Sequence, residues 1–198
     1  MHIKIILIFA FYFFSLGANS QNFDIQLLQS INSNGSATGD RVFKFISNSA
    51  TPVGTAVPVG MFAVALAMHD KQLLRKTYVS LVSLALFESI TFGVKHLAKR
   101  PRPYQTYPDL ILKKSDGGSF SFPSGHTSFI FGTATSLSLA FPKWYVIAPS
   151  FVIAGAVGYS RMYLGVHYPS DVLGGMVVGI GCSLLVFEAD KWINKKNK

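Results

Sequence analysis

Three short stretches of this sequence hold side chains whose types and order suit the handling of an anion. The first is Lys95-His96-Leu97-Ala98-Lys99-Arg100-Pro101-Arg102-Pro103, the second Pro123-Ser124-Gly125-His126, and the third runs from Ser160-Arg161 through His167 to Asp171. Each has an ordinary reading of its own. Lysines and arginines beyond an apolar helix serve as interfacial anchors. Pro-Ser-Gly-His reads equally as a turn with an N-cap. A histidine four residues before an aspartate reads as a local ion pair. Taken together they offer three spaced cations, two imidazoles, a carboxylate and a glycine at a helix entry. That set is what phosphoryl transfer without a metal needs.

The spacing suggests roles. Phosphoryl transfer is largely positioning plus neutralisation of charge on the equatorial oxygens, and Lys95, Arg102 and Arg161 can supply that charge. The planar fork of arginine suits paired phosphate oxygens. Ser124 and the backbone N–H groups of Ser124, Gly125 and His126 open a helix, where donors and dipole both favour an anion. Gly125 lets the backbone come close to it. Of two histidines, one must be a neutral nucleophile and the other a protonated acid. Asp171 follows His167 by four residues, so it can hold one ring nitrogen and leave the other free to attack. His126 has no carboxylate nearby in sequence and is the better candidate for the acid.

These groups need a scaffold that brings them to one place. The 198 residues are 49% hydrophobic and only 14% charged, against roughly 25% charged in an average soluble domain, with a mean hydropathy of +0.36. Five apolar runs, Thr51–Met68, Tyr78–Val94, Thr127–Phe141, Trp144–Tyr159 and Val172–Ala189, read as membrane helices, because lipid leaves no other way to satisfy the backbone. Ahead of them, Met1 to Lys4 is basic, Ile5 to Leu16 is apolar, and Ala18 and Ser20 fit a signal-peptidase site. Residues 1–20 thus read as a signal peptide or a retained anchor. Residues 21–50 read as an outer, periplasmic segment of two short amphipathic helices on the membrane, joined by the polar turn Asn32 to Gly39. Residues 51–190 form the membrane domain and 191–198 a basic cytoplasmic tail.

Charge orients this bundle. Lys71, Arg75, Lys76, Lys143, Lys191, Lys195, Lys196 and Lys198 all fall on one side, the cytoplasmic side by the positive-inside rule. The three chemically suited stretches fall on the other side, at neighbouring helix ends. Their cations violate the rule, and phosphate binding is a reason for it. The formal net charge of +9 does not point to nucleic acid, since the basic residues lie between apolar runs and form no basic domain. The single cysteine, Cys182, excludes an intrachain disulfide and any multi-cysteine zinc site.

The order Lys-x6-Arg-Pro, Pro-Ser-Gly-His, Ser-Arg-x5-His-x3-Asp resembles the signature of the type 2 phosphatidic acid phosphatases, within the acid phosphatase and vanadium-dependent haloperoxidase superfamily. Lys95, Arg102 and Pro103 match its first part; Pro123, Ser124, Gly125 and His126 its second; Ser160, Arg161, His167 and Asp171 its third. No signature position departs. The resemblance implies an all-α polytopic membrane bundle of about five spans plus the N-terminal segment, with its site at the outer interface. It implies a metal- and cofactor-independent lipid phosphatase or diphosphatase. His167 would be the nucleophile, Asp171 its orienting partner and His126 the general acid; Lys95, Arg102, Ser124, Gly125 and Arg161 would bind phosphate. Pro103, Pro123 and Ser160 would support them. The implied substrates are phosphatidic acid, phosphatidylglycerol phosphate, undecaprenyl diphosphate or lipid A phosphates, and the implied setting is a bacterial inner membrane.

Other residues carry weaker expectations. Glu88, inside the second span and seven residues before Lys95, is expected to support the active-site face, with a packing role as the alternative. The aromatic link Tyr104 to Phe122 reads as an interfacial loop or as a lid hinged at Gly117-Gly118. His96, Lys99 and Arg100 are expected to attract anionic lipid, and Trp144 and Trp192 to anchor span ends. Three other functions fit parts of the pattern. A vanadium haloperoxidase shares the anion site but is at odds with a short membrane chain. A lipid phosphotransferase would use the same residues. A silent lipid-binding protein predicts gaps in the catalytic set, and His126, His167 and Asp171 are all present.

Overall fold

The structure is a computed structural model and describes residues 20–196. The expected signal segment lies outside the described residues, except for Ser20. The described chain is helical, with no strand among the described residues: α1 Ser20–Ser33, α2 Ala37–Ala67, α3 Lys71–Ala98, a single turn α4 Pro103–Thr106, α5 Gly125–Ala140, α6 Trp144–Tyr163 and α7 Pro169–Lys196. By length and composition α2, α3 and α7 can each cross a membrane. Their outward faces carry exposed Phe62, Leu66, Leu81, Val82, Val177 and Leu185. So much apolar surface suits lipid and would be an aggregation liability in water.

Two expectations about the N-terminal region fare differently. α1 forms as a separate short helix that ends in a turn at Asn34, whose side-chain amide donates to Ser30 O at 2.7 Å. The expected second short helix does not exist as such, because residues 37–50 are the first part of α2, which runs on without a break through residue 51. Ser36 caps it, accepting from Gly39 N–H at 3.0 Å. Pro52 and Pro58 lie within it. Neighbouring helices make prolines tolerable in a membrane helix, where in water they would end it.

α5 is the hub. Its residues from Thr127 to Ser136, Phe129 apart, are buried, so it faces protein and can be short and rich in hydroxyls. Those hydroxyls bond back to their own helix, as in Thr133 to Phe129 O at 2.9 Å and Thr135 to Phe131 O at 2.8 Å. Around it α2 and α6 contribute Ala50, Ala154 and Val157 to a core with Ile130, Phe131 and Ala134. α7 comes closer still. A Cβ on Gly179 would collide with Ser128 O and lie 2.7 Å from Gly132 N, so the two backbones touch, as small-residue stripes allow in membranes. Ser183, one turn on, donates to Gly132 O at 3.0 Å. Gly179→Leu should therefore force the hub helices apart and cost at least about 1–3 kcal/mol. A thermal melt in detergent that matched the wild type would refute this packing.

The chain direction of each helix decides what meets what. α3 and α6 end where α5 and α7 begin, so Lys95, His126, Arg161, His167 and Asp171 share one end of the bundle. The other end holds the cytoplasm-type charges, tied by the Arg75–Asp190 ion pair at 2.8 Å and by Asp70 capping α3 through Gln72 and Leu73 N–H.

Candidate active site

The site is assembled from three inter-helix links. The first follows α3. Lys99, with φ of 46°, turns the chain out of the helix, and the following Arg-Pro-Arg-Pro is extended because a residue before proline avoids the helical region; Arg102 has φ −78° and ψ 155°. In extended chain, residues two apart face the same way. Arg100 and Arg102 accordingly both reach the link between α6 and α7. Arg102 is 3% exposed. Its Nη1 donates to Val166 O at 2.8 Å and lies 3.3 Å from His167 Nε2, while Nε and Nη2 donate to Gly118 O and Phe120 O. Lys95 Nζ donates to the same Phe120 carbonyl at 2.8 Å.

The second link enters α5. Ser124 N–H does not face the anion site as expected; it donates to Asp171 O at 2.9 Å, joining the second motif to the third. The Ser124 hydroxyl accepts from Thr127 Oγ1 at 2.9 Å, which leaves its own proton to give. A Cβ on Gly125 would lie 3.8 Å from the Lys95 stem, so a side chain there would occupy room beside that cation. His126 is half-buried in the first turn of α5. Pro123 and Pro103 are buried, and Pro103 starts α4.

The third link joins α6 to α7. Arg161 is 3% exposed; its Nη1 donates to the hydroxyl of Ser47 on α2, and its Nε has no partner among the described residues. Buried donors without partners are rare, and one beside two other cations is a natural place for an oxygen. Gly165, at φ 73° and with Leu112 O pressed where a Cβ would sit, allows the tight turn before His167. His167 is buried, and its Nδ1 lies 3.4 Å from Asp171 Oδ2. That is longer than a hydrogen bond, as catalytic contacts often are before substrate binds. With Asp171 behind Nδ1, the proton belongs there and the lone pair of Nε2 faces Arg102. Asp171 itself accepts from Tyr168 N–H at 2.9 Å, from the Ser121 hydroxyl and from Arg100.

The fields at the two histidines are those of a buried cationic cluster. Neither belongs to an apolar run. Burial pushes His167 down to about 3; Asp171 opposes this and Arg102 and Arg161 add to it. Burial, then Arg161, Arg102 and Lys95, push His126 down to about 4. Both stay neutral in the folded protein while free imidazole titrates near 6.5. The unfolded chain therefore takes up protons first on acidification, so stability present above about pH 6.5 is lost as pH falls toward those values. The melting temperature should drop between pH 7 and pH 5, and vanadate should reduce the drop by adding negative charge beside the cations. No pH dependence, with or without vanadate, would contradict the cluster's electrostatics.

Not every expected residue joins the cluster. Glu88 shares a face with Lys95 on α3, two turns inward, but it is exposed on the bundle surface. The lysine reaches the site along its stem, and Glu88 does not. Ser160 is buried and donates to Val157 O at 2.6 Å within its own helix. The Tyr104 to Phe122 link is pinned at several points: Asn32 of α1 accepts from Leu112 N–H and donates to Leu112 O, and Lys114 N–H donates to Leu164 O. Gly117 has a use other than hinging, since a Cβ there would lie 2.6 Å from the Arg102 side chain. Sequence reading missed Asp24, Ser47 and Ser121 and gave Arg100 a diffuse role. A usable signal was Asp24, Leu28 and Asn32, three residues at spacing four along the buried face of α1. A cavity of about 520 Å³ lies at the opposite end, lined by Arg75, Lys76, Phe187 and Asp190, but Arg75 is committed to Asp190 and Lys76 to Ala140 O. Among the described residues no group of three or more His, Cys, Asp or Glu could hold a metal ion.

Comparison with known proteins gives a consistent picture. The family profile described as PAP2 superfamily matches residues 77–195. An undecaprenyl-diphosphatase of Sulfolobus acidocaldarius is 31% identical over 171 residues, 85% of this chain and 79% of that protein. A lipid A 4'-phosphatase of Bacteroides thetaiotaomicron is 40% identical over 82 residues, 41% of this chain and 36% of that protein. The crystal structure of a transmembrane PAP2 type phosphatidylglycerolphosphate phosphatase from Bacillus subtilis superposes with a TM-score of 0.75 at 25% identity, covering 96% of each chain.

Proposed function

We propose, since this chain belongs to the PAP2 superfamily, that it hydrolyses a phosphate or diphosphate ester of a membrane lipid, at the periplasmic face of a bacterial inner membrane, through a phosphohistidine on His167. It is an integral-membrane protein, and its relatives are phosphatases of lipid phosphates. The observation that carries the mechanism is His167 itself: a buried imidazole with a carboxylate 3.4 Å behind Nδ1 and the Arg102 guanidinium 3.3 Å from Nε2.

The chemistry then runs in two displacements. Nε2 attacks phosphorus while the bond to the lipid oxygen breaks, and the leaving oxygen takes a proton from His126. The bound phosphate, by its charge, raises the proton affinity of His126 among the cations and so arms it as the acid. Lys95, Arg102, Arg161 Nε and the Ser124 hydroxyl hold the equatorial oxygens. Asp171 stabilises the positive charge on His167. In the second step His126 takes a proton from water, the water oxygen attacks phosphorus, and the P–N bond breaks to restore neutral His167. Three fixed cations match the charge of the transferring group.

The names of the relatives give the substrates to try: undecaprenyl diphosphate, phosphatidylglycerolphosphate and lipid A, with phosphatidic acid added. Purified protein in detergent should release phosphate from at least one of them with EDTA present. No release from the whole panel would overturn the reading; release abolished by EDTA would overturn its metal-free form.

A further inference from the structure

The motifs leave one set of buried contacts at Asp171 unexplained. Asp24 lies on α1, outside the matched residues 77–195, and is only 4% exposed. Its Oδ2 accepts from Arg100 Nη2 at 2.8 Å and from the Ser170 hydroxyl, and its Oδ1 accepts from Ser170 N–H at 2.9 Å. Arg100 uses its other terminal nitrogen on the reaction side: Nη1 donates to Asp171 Oδ1 at 2.8 Å and to Ser170 Oγ at 2.6 Å. The guanidinium lies 3.9 Å over the ring of Tyr168, which fixes its plane.

The start of α7 explains why such an outside residue is needed. The first N–H groups of a helix lack partners inside it. α7 opens at Pro169, which has no N–H, so Ser170 carries the first one. Tyr168, at the cap position, has no side-chain oxygen that can reach back to the helix as Ser, Thr, Asn or Asp would. Asp24 supplies that acceptor from another helix and sets a negative charge at the positive end of the α7 dipole. Asp171 sits in this same first turn. Arg100 holds Oδ1, the Ser121 hydroxyl and Tyr168 N–H hold Oδ2, and the carboxylate so fixed turns Oδ2 toward His167 Nδ1.

We propose that Asp24 is a positioning residue for the reaction, acting through Arg100 and the first turn of α7 to aim the Asp171 carboxylate at His167. The proposal rests on the phosphatase reading above. It makes the N-terminal helix part of the active site's support, in addition to its packing through Ile25 and Leu28 against Ile111 and Tyr168.

The test separates charge from capping. Asp24→Asn keeps an oxygen to accept from Ser170 N–H, since Asn caps as well as Asp, but loses the charge that holds Arg100. Asp24→Ala loses both. With full-length protein in detergent and the best lipid of the panel, Asp24→Asn should lower kcat about 10- to 100-fold, the range seen for supporting residues that orient a reacting group. KM should stay within about twofold, and the melting temperature should stay near that of the wild type. Asp24→Ala should lose activity and melting temperature together. The Asp24→Asn/Arg100→Gln double variant should be no slower than Arg100→Gln alone, because both act along one path. Near-normal kcat in Asp24→Asn beside an impaired Asp24→Ala would make Asp24 a helix cap only and overturn the proposal, as would multiplicative losses in the double variant. If wild-type protein turned over no lipid, the phosphatase reading would fall separately. The proposal is then read from ¹⁵N-histidine NMR, where Asp24→Asn should shift the Nδ1–H signal of His167 upfield or broaden it. An unmoved signal overturns it.

Discussion

His167→Ala should lower kcat by about 10⁴-fold or more, the scale of removing a nucleophile from a set that acts as a unit. The protein should still fold, because the imidazole's role in packing is small beside the α5–α7 and α2–α6 contacts. Wild-type enzyme quenched during turnover should carry phosphate in a linkage labile to acid and stable to base, as a P–N bond is; His167→Ala should carry none. Asp171→Asn should fall less steeply, since Nε2 remains, but His167 would then be held in the wrong tautomer by an amide. Turnover that survived the loss of His167, with labelled phosphate still trapped on the protein, would move the nucleophile to His126 and reverse the two roles.

Arg102→Lys should cost about 10²- to 10³-fold in kcat/KM despite the retained charge, comparable to losing a preorganised donor aimed at developing charge. The guanidinium does several things at once: it binds Val166 O, Gly118 O and Phe120 O, and it faces Nε2 of His167. A lysine has one point of charge and cannot bridge those carbonyls while presenting a fork to phosphate. The loss should appear in both kcat and KM, because the contacts orient the nucleophile and bind the anion. Lys95→Arg, by contrast, should be tolerated better, since among the described residues the Lys95 ammonium makes one hydrogen bond, to Phe120 O. Wild-type kcat/KM in the Arg102→Lys enzyme would mean that Arg102 acts only as a charge.

The class of fold and most of the chemical cluster were legible in the sequence, for physical reasons. Lipid demands long apolar helices, so hydropathy marked the spans, and cations clustered where the orientation rule does not expect them marked the end that holds the candidate site. Strict spacing marked Lys95, Arg102, His126, Arg161, His167 and Asp171, because each sits at a helix end whose register the motif carries. The boundary of α2 was less legible: Pro52 and the polar residues around Asn48 look like a break, yet packing against α5 and α6 keeps the helix whole. Glu88, expected either to support the site or to pack, is exposed on the bundle surface. A shared helix face with Lys95 says nothing of how far a side chain reaches across to another helix.

What the sequence alone determined is the set of candidate groups and the end of the bundle they share. The tertiary structure alone decided their partners. Asp24 is 146 residues from Ser170 in the chain and 76 from Arg100, and no local pattern couples them. Ser47 meets Arg161 only because α2 packs on α6, and Ser124 N–H meets Asp171 O only because the start of α5 packs on α7. Local spacing can encode which groups lie on a helix end. Which buried donor finds which acceptor depends on the close packing of separate helices, where an unmatched polar group costs most.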